Sequence, residues 1–167
     1  MIRVHEPPGT PCGLDLFHAG FVVDDIAAAM AAYTQAFGLR WASVATRVVD
    51  VLVAGERRTA ELLAVYSVDG PPHVELIEEV SGDIWGTRFL AMNHVGYWSS
   101  AFATDVDRLQ ASGFAAEVRN LGPDGEPGRF AYHRTPSGLW IEVVDRAVEP
   151  EIGRWLAGAG YGQGARR

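Results

Sequence analysis

The sequence predicts an α+β fold built from two βαβββ units that share one core. Two short runs, "FHAGFV" at 17–22 and "NHVGYW" at 93–98, repeat one local frame: His, a small or branched apolar residue, Gly, an aromatic residue, another apolar residue. Each run opens a stretch that continues as a helical pattern and then as three strand-like segments. The length of 167 residues fits one domain, or two small modules sharing a core that neither half would bury well alone.

Residues 1–13 are rich in Pro and Gly and read as an irregular start. The first module spans 14–80. "LDLFHAGFVV" (14–23) is a buried strand. The helix after it takes Asp24 or Asp25 as its N-cap and Gly38 as its stop, with Ile26, Met30, Tyr33 and Phe37 on one face. Strands follow at about 40–53, 59–67 and 73–79, separated by the turns "AGERR" and "VDGPP". Residues 81–91 form a connector. The second module, 92–145, repeats the order: "MNHVGYWS", a short helix "TDVDRLQASG" with Thr104 as cap and Gly113 as stop, then "FAAEVRN", "GRFAYHR" and "GLWIEVVD". Residues 146–167 carry one amphipathic helix and a frayed tail.

Composition narrows the function. A net charge of −7 argues against nucleic acid or an anionic membrane as the target. No apolar run approaches the roughly 20 residues that span a bilayer, and the N-terminus lacks the apolar centre of a secretory signal. A single cysteine, Cys12, forms no internal disulfide, which points to a reducing cytoplasm. All 14 basic residues are Arg, so chemistry that needs a lysine Schiff base or a P-loop lysine is excluded.

Four polar residues recur in matched places. Each module has a His on its first strand and a Glu on its last: His18 and Glu75, then His94 and Glu142. Strand alternation sets Glu75 with Ile77 and Glu142 with Trp140, while Gly20 and Gly96 leave the face open two residues after each His. A carboxylate inside an apolar strand is costly to bury unless paired or bound to a metal. Two imidazoles and two carboxylates suit one divalent ion such as Zn, Ni, Co, Mn or Fe.

Taken together, "FHAGFVVDDIAAAMAAYTQAFGLRW", "HVELIEE", "NHVGYW" and "PSGLWIEVVD" resemble the signature strands and helix of the vicinal oxygen chelate superfamily, over about residues 14–145. The resemblance implies an eight-stranded, incompletely closed barrel with a metal in its cleft. It puts His18, Glu75, His94 and Glu142 on the family's ligand positions. The second module departs in having "SSAFATD" before its helix. By the same resemblance, Glu142 is a candidate base at the metal, and Glu61 resembles the strand carboxylate that acts as base in methylmalonyl-CoA epimerase.

Trp98 and Trp140 share strand parity with His94 and Glu142, and either Tyr132 or its neighbour His133 must point inward, so these four are candidate pocket residues. Arg47, Arg57 and Arg58 surround one hairpin and are candidates to meet a CoA phosphate. The leading reading is a metal-dependent isomerase, epimerase or lyase that removes a proton next to a carbonyl of a small organic or acyl-thioester substrate. The alternatives are an extradiol-type Fe(II) dioxygenase, against which a fourth protein ligand (Glu75) counts, and a drug-binding resistance protein that is not an enzyme. The resemblance suggests a homodimer.

Overall fold

The structure is a computed structural model that describes residues 13–82, 84–86 and 93–161. The expectations of an irregular start and a frayed tail, and part of the expected 81–91 connector, fall on residues outside those described. In chain order the elements are β1 (Leu14–Val22), α1 (Ile26–Phe37), β2 (Ala45–Val53), β3 (Glu56–Tyr66), β4 (His73–Ser81), β5 (His94–Ser99), α2 (Phe102–Ala111), β6 (Ala115–Leu121), β7 (Pro127–Arg134), β8 (Trp140–Asp145) and α3 (Glu149–Leu156). Two βαβββ modules form one eight-stranded barrel, in the ring order β1-β4-β3-β2-β6-β7-β8-β5.

Each module is a parallel pair closed by a meander: β1 runs parallel to β4 and β5 parallel to β8. The modules join twice, with unequal strength. β1 and β5 pair antiparallel over most of their length, which brings the two His strands side by side. β2 meets β6 only through Val51–Val53, although it pairs with β3 from Ala45 to Val53. The ring is nevertheless closed, rather than incompletely closed as the resemblance implies, and its shortest seam is this one, where the ladder to β6 takes in Val51–Val53 alone. On β1 a register shift between Leu16 and His18 turns both Phe17 and His18 into the interior.

Local signals explain most element ends. Asp25 caps α1 by accepting from the Ala28 N–H at 2.8 Å, and Gly38 ends the helix at φ +71°. The apolar face of α1 is thinner than its spacing predicts. Ile26 is buried, whereas Phe37 is 71% exposed and lies edge-on to Tyr33. Helix α2 begins at Phe102, not at Thr104. Ser99 Oγ accepts from the Ala101 N–H and donates to Asp105 in the first turn, so a hydroxyl from β5 orders the helix start. The second strand begins at Ala45 rather than near residue 40.

The interior divides into two packed regions. Val49, Val51, Leu62, Ile77, Trp85, Phe130, Tyr132 and Trp140 fill one. Phe17, Tyr66, Trp98 and Val144 pack in the other with Ile152 and Trp155 of α3. The Trp155 indole is fully buried and donates to the Ser43 carbonyl at 2.7 Å, so α3 is fastened to the segment before β2.

Candidate metal centre

The buried polar residues between these two regions are the four the sequence singles out. His18 Nε2 lies 3.0 Å from His94 Nε2, 3.0 Å from Glu142 Oε2 and 3.3 Å from Glu75 Oε2. His94 Nε2 is 3.2 Å from Glu75 Oε2 and 3.4 Å from Glu142 Oε2. All four ligand atoms fall within 4.8 Å of one another, and all four residues are buried. The strands account for this. β1 and β5 are neighbours and carry the imidazoles, while β4 and β8 flank them in parallel and carry the carboxylates.

The two glycines hold the imidazoles in place by reciprocity. Gly20 pairs with His94 and Gly96 pairs with His18 across β1–β5. A β-carbon on Gly20 would come 2.1 Å from His94 Cε1, and one on Gly96 would come 2.0 Å from His18 Cε1. Each module's glycine makes room for the other module's histidine.

A divalent ion fits this arrangement. Donors bound about 2.0–2.2 Å from one ion at tetrahedral or right-angled positions stand about 2.8–3.6 Å apart, a range that holds the five separations that involve a histidine nitrogen, while the two carboxylate oxygens lie within 4.8 Å of each other. Glu142 Oε2 is buried and makes no well-aligned hydrogen bond, although His18 Nε2 stands 3.0 Å away. His18 Nδ1 likewise has no hydrogen-bond partner among the described residues.

Without an ion the quartet is an ionic cluster. Burial pushes the imidazoles toward neutrality, but the charges and hydrogen bonds of Glu75 and Glu142 outweigh it. The His18 pKa is raised, and that of His94 is raised to about 10. Burial also opposes ionisation of the two carboxyls, and the facing histidines win, holding both below the usual carboxylate range.

Two tyrosines flank the cluster symmetrically. Tyr66 pairs with Glu75 across β3–β4 and lies edge-on to His18, with ring centroids 5.4 Å apart. Tyr132 pairs with Glu142 across β7–β8 and lies edge-on to His94 at 4.9 Å. Burial, with the nearby glutamates, pushes both phenols well above their usual range, so both stay protonated. Tyr66 was not anticipated from its sequence. Its signal was the duplication, since it stands in the first module where Tyr132 stands in the second.

Two small cavities reach the cluster, of about 20 and 30 Å³, each with room for about one water. Arg47, Phe130 and Glu142 line both. Tyr132 and Trp85 line the first, the latter supplied by the connector, whose irregular sequence gave no periodic signal.

Four candidates fall elsewhere. Glu61 pairs with Val48, which is 69% exposed, and the cavity face of β3 is formed by Leu62 and Ala64. Glu61 therefore looks away from the four-residue cluster, not into the cleft as a base there would have to. His133 is also turned outward. It is fully buried, with Nδ1 against the Phe114 carbonyl at 3.0 Å, so it belongs to the packing near α2 rather than to the pocket. Trp98 and Trp140 have the inward parity expected, but both serve the core: Trp98 stacks on Phe17 at 4.0 Å, and Trp140 packs with Trp85 and Tyr132. Neither lines the two cavities that reach Glu142. The hairpin arginines do not act as one cluster: Arg57 pairs with Asp50 and Arg58 with Glu56, while Arg47 turns inside.

Residues 17–132 match the Glyoxalase/Bleomycin resistance protein/Dioxygenase superfamily, and the chain belongs to that family. No curated protein matches it in sequence. Among solved structures it is similar to a single-residue variant of Streptomyces coelicolor methylmalonyl-CoA epimerase in complex with 2-nitronate-propionyl-CoA. That match has TM-score 0.53 and 15% identity, covering 78% of this chain and 92% of that one. A hypothetical protein from Bacillus halodurans C-125 matches at TM-score 0.55 and 14% identity, over 79% of this chain and 94% of the other. Methylmalonyl-CoA epimerase from Mycobacterium tuberculosis matches at TM-score 0.50 and 18% identity, over 86% and 93%. At these identities the likeness concerns the fold.

Proposed function

We propose that this chain is a metal-dependent enzyme that removes a proton next to a carbonyl, as an isomerase, epimerase or lyase of a small organic or acyl-thioester substrate. The observation that carries the reading is the convergence of His18, Glu75, His94 and Glu142, with Glu142 alone of the four lining both cavities. These four residues would hold one divalent ion, which when bound offsets negative charge on a substrate oxygen.

The chain's own residues supply the rest. Glu142 accepts the proton at a carboxylate oxygen, the role its exposure to both cavities suits. Tyr132 and Tyr66, which stay protonated, donate hydrogen bonds to the oxygen on which charge develops. Leu62, Ala64 and Ile77 line the cavity wall and exclude water. Space for about one water in each cavity limits the interior to the small reacting end of a substrate. A fourth protein ligand leaves less room for substrate and O₂ together, which favours proton transfer over dioxygen chemistry.

The test is exchange of the substrate's acidic proton with solvent deuterium. The panel pairs 2-substituted acyl-CoA thioesters, chosen because proteins of this fold include methylmalonyl-CoA epimerases, with α-hydroxycarbonyl compounds. Exchange by the metal-loaded wild type, lost in Glu142→Gln, supports the reading. Oxygen uptake with a catechol and no exchange on any member would overturn it.

A further inference from the structure

We infer that Trp85 is a positioning residue: its indole N–H orients the Tyr132 hydroxyl so that this phenol donates its own hydrogen into the cavity beside Glu142. The inference rests on the function proposed above and gives the two tyrosines of the centre unequal parts.

Each tyrosine has an indole set edge-on against it. Trp155 stands against Tyr66 with ring centroids 5.3 Å apart and 83° between the planes, and Trp85 stands against Tyr132 at 6.0 Å and 72°. The two indoles differ in what their N–H groups do. Trp155 Nε1 donates to the Ser43 carbonyl at 2.7 Å, so it has nothing left for Tyr66. Trp85 is 1% exposed, and its Nε1 is buried without a well-aligned hydrogen bond. Trp140 Nε1 is unpartnered as well, but Trp140 lines neither cavity, whereas Trp85 lines one together with Tyr132, Glu75 and Glu142.

A buried N–H without a partner is unfavourable and asks for a reason. Trp85 is held where it is: the Ile84 N–H before it donates to Glu79 Oε1 at 3.1 Å, which fastens the connector to β4, and its ring also lies edge-on to Phe130. The group within its reach is the Tyr132 phenol. The indole N–H favours ionisation of that phenol by hydrogen bonding, although the contact falls short of a closed bond.

The chemistry of the two groups sets the direction. An indole N–H only donates, while a phenol both accepts and donates. A phenol oxygen that accepts from Trp85 keeps its single hydrogen for another acceptor. The cavity that Tyr132 shares with Glu142 is where a substrate oxygen stands in the proposed reaction. Donation to the phenol oxygen also strengthens the phenol as a donor, because hydrogen bonds in a chain polarise one another. Tyr66 lacks this support, and its hydroxyl also serves Glu75. Tyr132 is thus the stronger donor to charge that develops on the substrate.

Site-specific replacement of the Trp85 indole by benzothiophene tests this, because sulfur takes the place of the N–H while the ring outline is kept. Trp85→Phe is the second variant. In proton exchange by metal-loaded protein, both are expected to lower kcat about tenfold, the effect of one net hydrogen bond, with KM and metal affinity unchanged. In a Tyr132→Phe background the benzothiophene replacement should cost nothing further, whereas in a Tyr66→Phe background it should cost its full tenfold. A structural role alone would add its loss in both backgrounds. Ultraviolet resonance Raman reads the phenol without turnover. The difference between wild type and Tyr132→Phe is expected to show a phenol that accepts a hydrogen bond, and benzothiophene at position 85 should abolish that signature. An unchanged Tyr132 signature, an unchanged kcat, or an undiminished loss in the Tyr132→Phe background overturns the inference and leaves the proposed function standing. If wild type exchanges no member of the panel, the proposed function fails, and the Raman comparison alone upholds or overturns the pairing of Trp85 with Tyr132.

Discussion

Gly20 and His94 belong to different modules, yet they are paired across β1–β5 so closely that a β-carbon on Gly20 would lie 2.1 Å from the His94 ring. Gly96 stands in the same relation to His18. The repeated His-x-Gly of the sequence is thus one interlocking device, in which each glycine is the cradle of the opposite imidazole.

Gly20→Ala and Gly96→Ala should therefore each displace a histidine without touching a ligand residue. Divalent-metal affinity is expected to fall on the order of 10- to 100-fold, the range typical of disturbing the residues that orient a ligand. Circular dichroism should show the fold retained. Competition with a chromophoric chelator measures the affinity, and wild-type affinity in both variants would show that the imidazoles are free to shift.

Stability should depend on pH with opposite sign in metal-free and metal-loaded protein. The His18 and His94 pKa values are raised, so the stability they contribute is fully present below their ordinary value of 6.5. It is lost as pH rises, for His94 through about 10. Glu75 and Glu142 are lowered, so their contribution is present above about 4.5 and lost as pH falls further. The metal-free quartet thus stabilises most between these two values. Metal binding displaces the imidazole protons and is favoured by rising pH. The gain in Tm on loading is expected to grow from pH 6 to pH 9, and a gain that shrinks over that range would contradict the ionic cluster. Chelation should lower Tm without unfolding the chain, because the barrel has its own core.

The carboxylates should separate cleanly. Glu142→Gln is expected to abolish proton exchange with the fold intact. Glu61→Gln should leave both exchange and metal content near wild type, since Glu61 looks outward. A loss of about 10² or more in exchange for Glu61→Gln, the scale of removing a general base, would mean that β3 presents its other face to the substrate.

Packing gives a further contrast. Trp155→Ala removes a fully buried indole and its bond to Ser43, and should cost about 3–5 kcal/mol. Phe37→Ala, at a side chain 71% exposed, should stay within about 0.5 kcal/mol. Urea denaturation of both variants measures the difference, and equal losses would show that α3 does not secure the barrel.

Alternation along strands made much of the site legible. His18, Glu75, His94 and Glu142 each interrupt an apolar strand, and duplication put them at equivalent places. The same alternation misled at Glu61 because β3 is apolar on both sides: Leu62 and Ala64 face the interior while Leu63 and Val65 pack toward α1. Nothing in the local pattern says which face is which. His133 is a similar case, since both sides of β7 are buried. Arg47 was hidden by its residue type, because an Arg on a strand ordinarily marks the solvent side. The glycine cradles became visible only with the pairing of β1 and β5, a contact between modules that local sequence does not encode.

The most direct measurement of the central claim is the metal content of protein prepared without an affinity tag and dialysed against Zn²⁺, Ni²⁺, Co²⁺, Mn²⁺ or, anaerobically, Fe²⁺. The four-residue centre predicts about one tightly held ion per chain for at least one of these metals in the wild type. His94→Ala and Glu75→Ala should each lose it. Uptake of no metal by the wild type, or full uptake by both variants, would contradict the account.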